Sequence, residues 1–265
     1  MANKIGTCAL CKTKSIELKQ SHLIPKLVWK RIKSNPKSSF RDLDNPNKQY
    51  QDGEKKYLLC ESCESIFCKY EDLFAREFFL DFFQYGILKK VLFKENWMID
   101  YCLSVSWRIL YDDLYNHSSF TGQSIRHIFL EFENQLANYF NKQGERPSSR
   151  NYFYNINEIV KKENIIKLCY SSPFAYCIHN MEYNIFLILT CYANLIIVTE
   201  IDICCIDMNS TILKILKKRF FKRKIIKKIL KEEISYEADL IYKKKQNVDN
   251  KVIERIKKKH SKFKD

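Results

Sequence analysis

The chain has 265 residues, 46% hydrophobic and 14% aromatic, enough to bury a sizeable core and to exclude a wholly disordered polypeptide. Its net charge of +15 is unevenly spread: residues 211–265 hold 20 Lys and Arg against 7 Asp and Glu, leaving +2 for the rest. No apolar run reaches the roughly 20 residues of a membrane span, and the first residues lack the basic-then-apolar order of a signal peptide.

These features point to the reducing cytoplasm as the expected home. Eleven cysteines there read as metal ligands and small buried hydrophobes rather than disulfides. The cationic segment should meet something anionic, nucleic acid foremost, unless its lysines are simply a solvated face.

In chain order, residues 1–70 read as a small, loop-rich metal module. Two Cys-x-x-Cys brackets, Cys8 with Cys11 and Cys60 with Cys63, offer four thiolates for one tetrahedral structural Zn2+. Between them, "KSNPKSSFRDLDNPNKQYQDG" is polar, carries two Asn-Pro pairs, and reads as loop. "KKYLLC" is a strand candidate entering the second bracket, and Ile66, Phe67, Tyr70, Phe74 and Phe78 then recur at helical spacing.

Two further helices are expected between Trp97 and Gln143. "GERPSSRN" at 144–151 reads as a linker, followed by three antiparallel strands, a meander, in "FAYCIHNMEYNIFLILTCYANLIIVTEIDICCI". Residues 211–234 are helical again, with Ile212, Leu216, Phe220, Ile226, Leu230 and Ile234 marking an apolar side among basic residues. The expected fold class is α+β, divided into a zinc module at 1–70, a companion domain at 71–210 and a basic helical tail at 211–265.

The order Cys-x-x-Cys, "SHLIP", then "LLC-x-x-C" opening a helix resembles the zinc-stapled HNH (His-Me finger) endonucleases. The resemblance implies a treble-clef knuckle bracing a ββα unit, with Cys8, Cys11, Cys60 and Cys63 as zinc ligands. It implies that His22 is a general base, activating water beside a DNA or RNA phosphodiester in a prokaryotic defence nuclease. It also implies a catalytic Mg2+ or Mn2+. Where the family places its metal ligands, this chain has Ser21 and Glu64.

Glu64 and Glu71 lie about two helical turns apart on one face, and their hard oxygens suit such an ion. Glu64 equally suits a helix N-terminus for dipole reasons, and His22 could be a structural histidine packing the knuckle. A non-catalytic zinc-bound nucleic-acid-binding or interaction protein is therefore the competing expectation.

In the basic helix, Lys217, Lys218, Arg219, Lys222, Arg223, Lys224, Lys227 and Lys228 are the candidate phosphate contacts. The same amphipathic pattern could lie on an anionic membrane surface, a weaker alternative. His117, His127 and His179 have no partners at metal spacing and read as structural. Cys204 and Cys205 read as buried hydrophobes. Arg108 could touch phosphate but is expected to pair with Asp112 at i+4. No phosphate-cradling glycine loop, nucleophile elbow or dinucleotide fingerprint occurs.

Overall fold

The computed structural model describes residues 4–33, 40–41, 45, 48–117, 123–203, 219–246 and 254. The architecture is mixed, with helices packed on antiparallel sheets. β1 (Lys4–Gly6) and β2 (Ile16–His22) lead into a short helix, α1 (Lys26–Ile32). β3 (Phe40–Arg41) and β4 (Gln49–Tyr50) form a minimal ladder before β5 (Lys55–Cys60). β1, β2 and β5 make one sheet in the order β1-β2-β5, antiparallel throughout.

Helix α2 (Glu61–Phe74) starts directly at the end of β5. It continues through a π-helical turn at Ala75–Phe79 into α3 (Leu80–Tyr85), which stops at Gly86 with φ 68°. There glycine supplies the left-handed residue that closes a helix, its N–H donating to the Phe82 carbonyl at 2.7 Å. α4 (Asn96–Tyr115) and α5 (Gln123–Phe140) are the two helices expected from the periodicity.

The meander is present as β7 (Phe174–Asn180), β8 (Ile185–Tyr192) and β9 (Leu195–Ile201). It gains a fourth strand that the sequence did not announce: β6 (Ser149–Asn155) pairs with β9, giving the order β6-β9-β8-β7. The "GERPSSRN" linker is thus shorter than expected, because its last residues already run along the sheet edge. A short helix, α6 (Glu163–Ser171), crosses before β7, and α7 (Arg219–Gln246) ends the described chain apart from Glu254.

The sheet is buried on both faces, which is why β8 reads as an unbroken apolar run. Phe153, Phe186, Ile188, Tyr192 and Ile197 face the helical layer around α4. Leu187, Leu189, Ile196 and Val198 alternate to the other face, against α6 and the Ile226, Leu230 and Ile234 stripe of α7. Apolar packing is continuous across residues 70 and 210, since each piece alone would expose an apolar face.

Among the described residues of the basic helix, Ile226, Leu230 and Ile234 are covered by the protein itself. No helix among the described residues is long and apolar enough to cross a membrane. Ile212, Leu216, Lys217, Lys218, Cys204 and Cys205 lie outside the described residues.

Candidate metal centre and the His22 strand end

The four bracket cysteines converge. Their Sγ atoms all lie within 4.8 Å of one another, with Cys11 and Cys60 at 3.8 Å. Local backbone chemistry explains the convergence. In the first bracket, Lys12 adopts a left-handed φ of 59° and donates its N–H to the Cys8 carbonyl at 3.0 Å, closing a tight turn.

That turn docks on β5 through a bulge. The β2–β5 register shifts between Lys19 and Gln20, and the Leu58 carbonyl accepts the Ala9 N–H at 2.9 Å. The Cys60 N–H then donates to the Cys8 sulfur at 3.3 Å. Cys60 ends β5 and Cys63 sits in the first turn of α2.

The thiols respond to this crowding. The close approach of the Cys8 and Cys63 sulfurs, which share a hydrogen bond, holds the Cys8 pKa down and pushes that of Cys63 up. Four soft ligands at this spacing, three of them buried, suit a closed structural site, and the quartet could hold a metal such as zinc.

His22 is the last residue of β2, paired in register with Lys55. Its ring is mostly buried, and Nε2 lies 3.5 Å from Asp52 Oδ2. That distance is an ionic approach rather than a formed hydrogen bond, and Nε2 has no hydrogen-bond partner. Burial lowers the His22 pKa to about 4; Asp52 pulls upward, and Lys55 and Lys26 push down.

Asp52 is in turn held by Lys55 at 2.6 Å and Lys26 at 3.5 Å. Burial works against its charge, but Lys55, His22 and Lys26 more than offset that and lower its pKa. Gly53 makes this loop possible. Its φ is 85°, and a Cβ there would sit 2.2 Å from the Trp29 ring of α1.

The other face of the strand end is a buried polar cluster. Ser21, fully buried, donates to Glu64 Oε2 at 2.5 Å. Arg108 of α4, 1% exposed, donates to Glu71 Oε1 at 2.5 Å and to the His22 carbonyl at 2.9 Å. The expected Arg108–Asp112 pair does not form. Asp112 instead accepts from Lys56 and Asn116 and contacts His117, because the guanidinium is drawn down towards β2.

Glu64 and Glu71 are thus each bonded to a protein donor. Among the described residues the cysteine quartet is the group of three or more ligands that converges, and His22, Glu64 and Glu71 form no such group. This donor set does not fit a Mg2+ or Mn2+ ion as it stands. Asp52, missed by the sequence reading, is the acidic neighbour His22 does have; the signal available was the Asp-Gly pair in "QDG".

The basic helix is partly spent on the protein. Lys222 is bonded to the buried Glu200 at 2.6 Å. Lys227 reaches Glu158 at 3.2 Å and Lys228 reaches Glu182 at 3.5 Å. Arg223 and Lys224 are exposed, and Arg219 lies in the first turn of α7. His179 stacks on Phe186, and His127 is exposed on α5.

No family model, curated protein or solved structure matches this chain.

Proposed function

We propose that the chain is a zinc-stapled, HNH-like phosphodiesterase acting on DNA or RNA, with His22 as its general base. One observation supports this reading above others. The cysteine quartet ties β1, β2 and the β5–α2 corner together, and the strand end so held carries an imidazole beside a carboxylate. A zinc ion in the quartet would act only as a staple, its binding energy adding folding energy to the apolar packing of Leu10, Leu18, Val28 and Leu59.

The chemistry follows from the His22 surroundings. At neutral pH the ring is uncharged; its unpartnered Nε2 is enclosed away from solvent, so it would accept a proton from water once the loop carrying Asp52 opens to substrate. Asp52 then faces an imidazolium and offsets its charge. Lys26, half exposed, offers an ammonium to the scissile phosphate. A phosphate bound there adds negative charge beside the ring and raises its proton affinity towards the working pH. Arg223 and Lys224, exposed on α7 away from the His22 strand end, would give the nucleic-acid backbone separate cationic contacts, read by charge rather than sequence.

A second reading, a non-catalytic zinc-bound interaction protein, draws on the engagement of Glu64 with Ser21 and of Glu71 with Arg108. A panel of single- and double-stranded DNA and RNA, incubated with Mg2+ or Mn2+, separates the two. Cleavage by the wild type that His22→Ala loses, with zinc content and fold unchanged, supports the nuclease. Nucleic acid that is shifted but left intact under every divalent ion supports the binding protein.

A further inference from the structure

We infer that Arg108 is a positioning residue for His22, so that α4, a helix outside the cysteine-bracketed segment, completes the site. The inference rests on the proposed role of His22. Its evidence is the set of contacts made by one buried guanidinium.

Arg108 stands 86 positions along the chain from His22, yet its Nη1 donates to the His22 carbonyl at 2.9 Å. Nη2 donates to Glu71 of α2 at 2.5 Å, and Nε approaches the Ser104 carbonyl at 3.4 Å. The cation also lies over the Phe67 ring, 5.4 Å from its centroid. Every edge of the planar fork has a partner, so the group cannot swing without breaking several contacts together.

What it holds is the terminal carbonyl of β2. β2 is paired to β5 on one side up to His22–Lys55, after which the chain turns through Leu23, Ile24 and Pro25 into α1. Beyond that last pair, the strand ladder alone leaves the peptide after His22 free to rotate. The Arg108 bond fixes it, and with it the direction in which the imidazole leaves the backbone towards Asp52. A lysine could supply one of these donors but not the fork.

The test uses the zinc-loaded full chain as wild type, Arg108→Gln, Arg108→Lys and Met98→Ala, each checked for fold and zinc content. Met98→Ala loosens the core at the start of α4, ten positions from Arg108, and leaves the guanidinium contacts named above intact. Two readouts are taken, cleavage of the nucleic-acid panel and the ring 1H–13C NMR signals of His22.

Positioning predicts that Arg108→Gln lowers kcat about 10- to 100-fold, with KM within about twofold. Arg108→Lys should recover part of that loss, and Met98→Ala should stay close to wild type per folded molecule. The His22 ring signals should shift in Arg108→Gln and stay in place in Met98→Ala. Equal kcat in Arg108→Gln and Met98→Ala, with unmoved ring signals, overturns the inference. If the wild type cuts nothing, the nuclease reading fails, and the ring signals alone still decide whether Arg108 sets the imidazole.

Discussion

The β2–β5 pair and the four-stranded sheet are both antiparallel, but they bury different mixtures. Around the pair the interior sets Leu18, Leu58 and Leu59 beside Cys8, Cys60, Cys63, Ser21, Arg108 and the partly covered Glu71 and His22. The sheet buries Leu187, Ile188, Leu189, Ile196 and Val198 on its two faces. Two of its buried polar residues are satisfied in place: Thr199 bonds Ser106 and Asn151, and Glu200 bonds Tyr152 and Lys222. Stability in the sheet is spread over many interchangeable apolar contacts. In the β2–β5 pair a few directional bonds act beside the apolar packing, so the geometry of the strand end depends on single groups. Such a region is suited to chemistry, whereas the sheet is suited to docking the basic helix.

The largest expected effect removes the metal. Structural zinc contributes on the order of 10 kcal/mol in small modules near neutral pH. Chelation, or Cys63→Ser, should strip hydrogen-exchange protection from β1, β2 and β5 while β8 and β9 stay protected. Simultaneous loss across both regions would break the contrast drawn here.

Next in size is the sheet. Leu230 is fully buried beneath it, so Leu230→Ala should cost about 2–5 kcal/mol in chemical denaturation. A change below about 0.5 kcal/mol would mean that α7 is not docked.

The pH response comes third. His22 has a folded pKa of about 4 against about 6.5 unfolded, so the unfolded chain binds the proton more readily. Above pH 6.5 the ring is neutral in both states and costs nothing. As pH falls from about 6.5 to about 4, stability drops by up to about 3 kcal/mol. Denaturation curves of His22→Gln should lack this part of the acid slope; an identical slope would show an open, solvated ring.

The smallest effect is at the surface. Lys167 and Glu163 form an exposed i,i+4 pair on α6, and Lys167→Ala should change stability by about 0.3 kcal/mol. A larger loss would make the sheet region as dependent on single bonds as the β2–β5 pair.

The cysteine quartet was legible because each bracket is local and its chemistry depends on spacing. The helices α2, α4 and α5 were legible from periodicity, and β7 to β9 from β-branched runs between turns. β6 was hidden by Pro and Ser before it and by its edge position, which needs little apolar pattern. Asp52 was hidden because its role depends on a loop fold that Gly53 and Trp29 create together. Arg108 was assigned to its helical neighbour Asp112, a local pairing that loses to a long-range one. The donor to Glu71 and to the His22 carbonyl comes from α4, and no spacing in one chain segment announces a contact across 86 positions.

The central claim is that four thiolates grip one zinc ion and so fix the strand end carrying His22. Zinc-edge X-ray absorption of the purified chain, with metal counted per molecule, tests it most directly. The account predicts one zinc per chain in a shell of four sulfurs at about 2.3 Å. A substoichiometric metal, or a shell containing nitrogen or oxygen in place of sulfur, would contradict it.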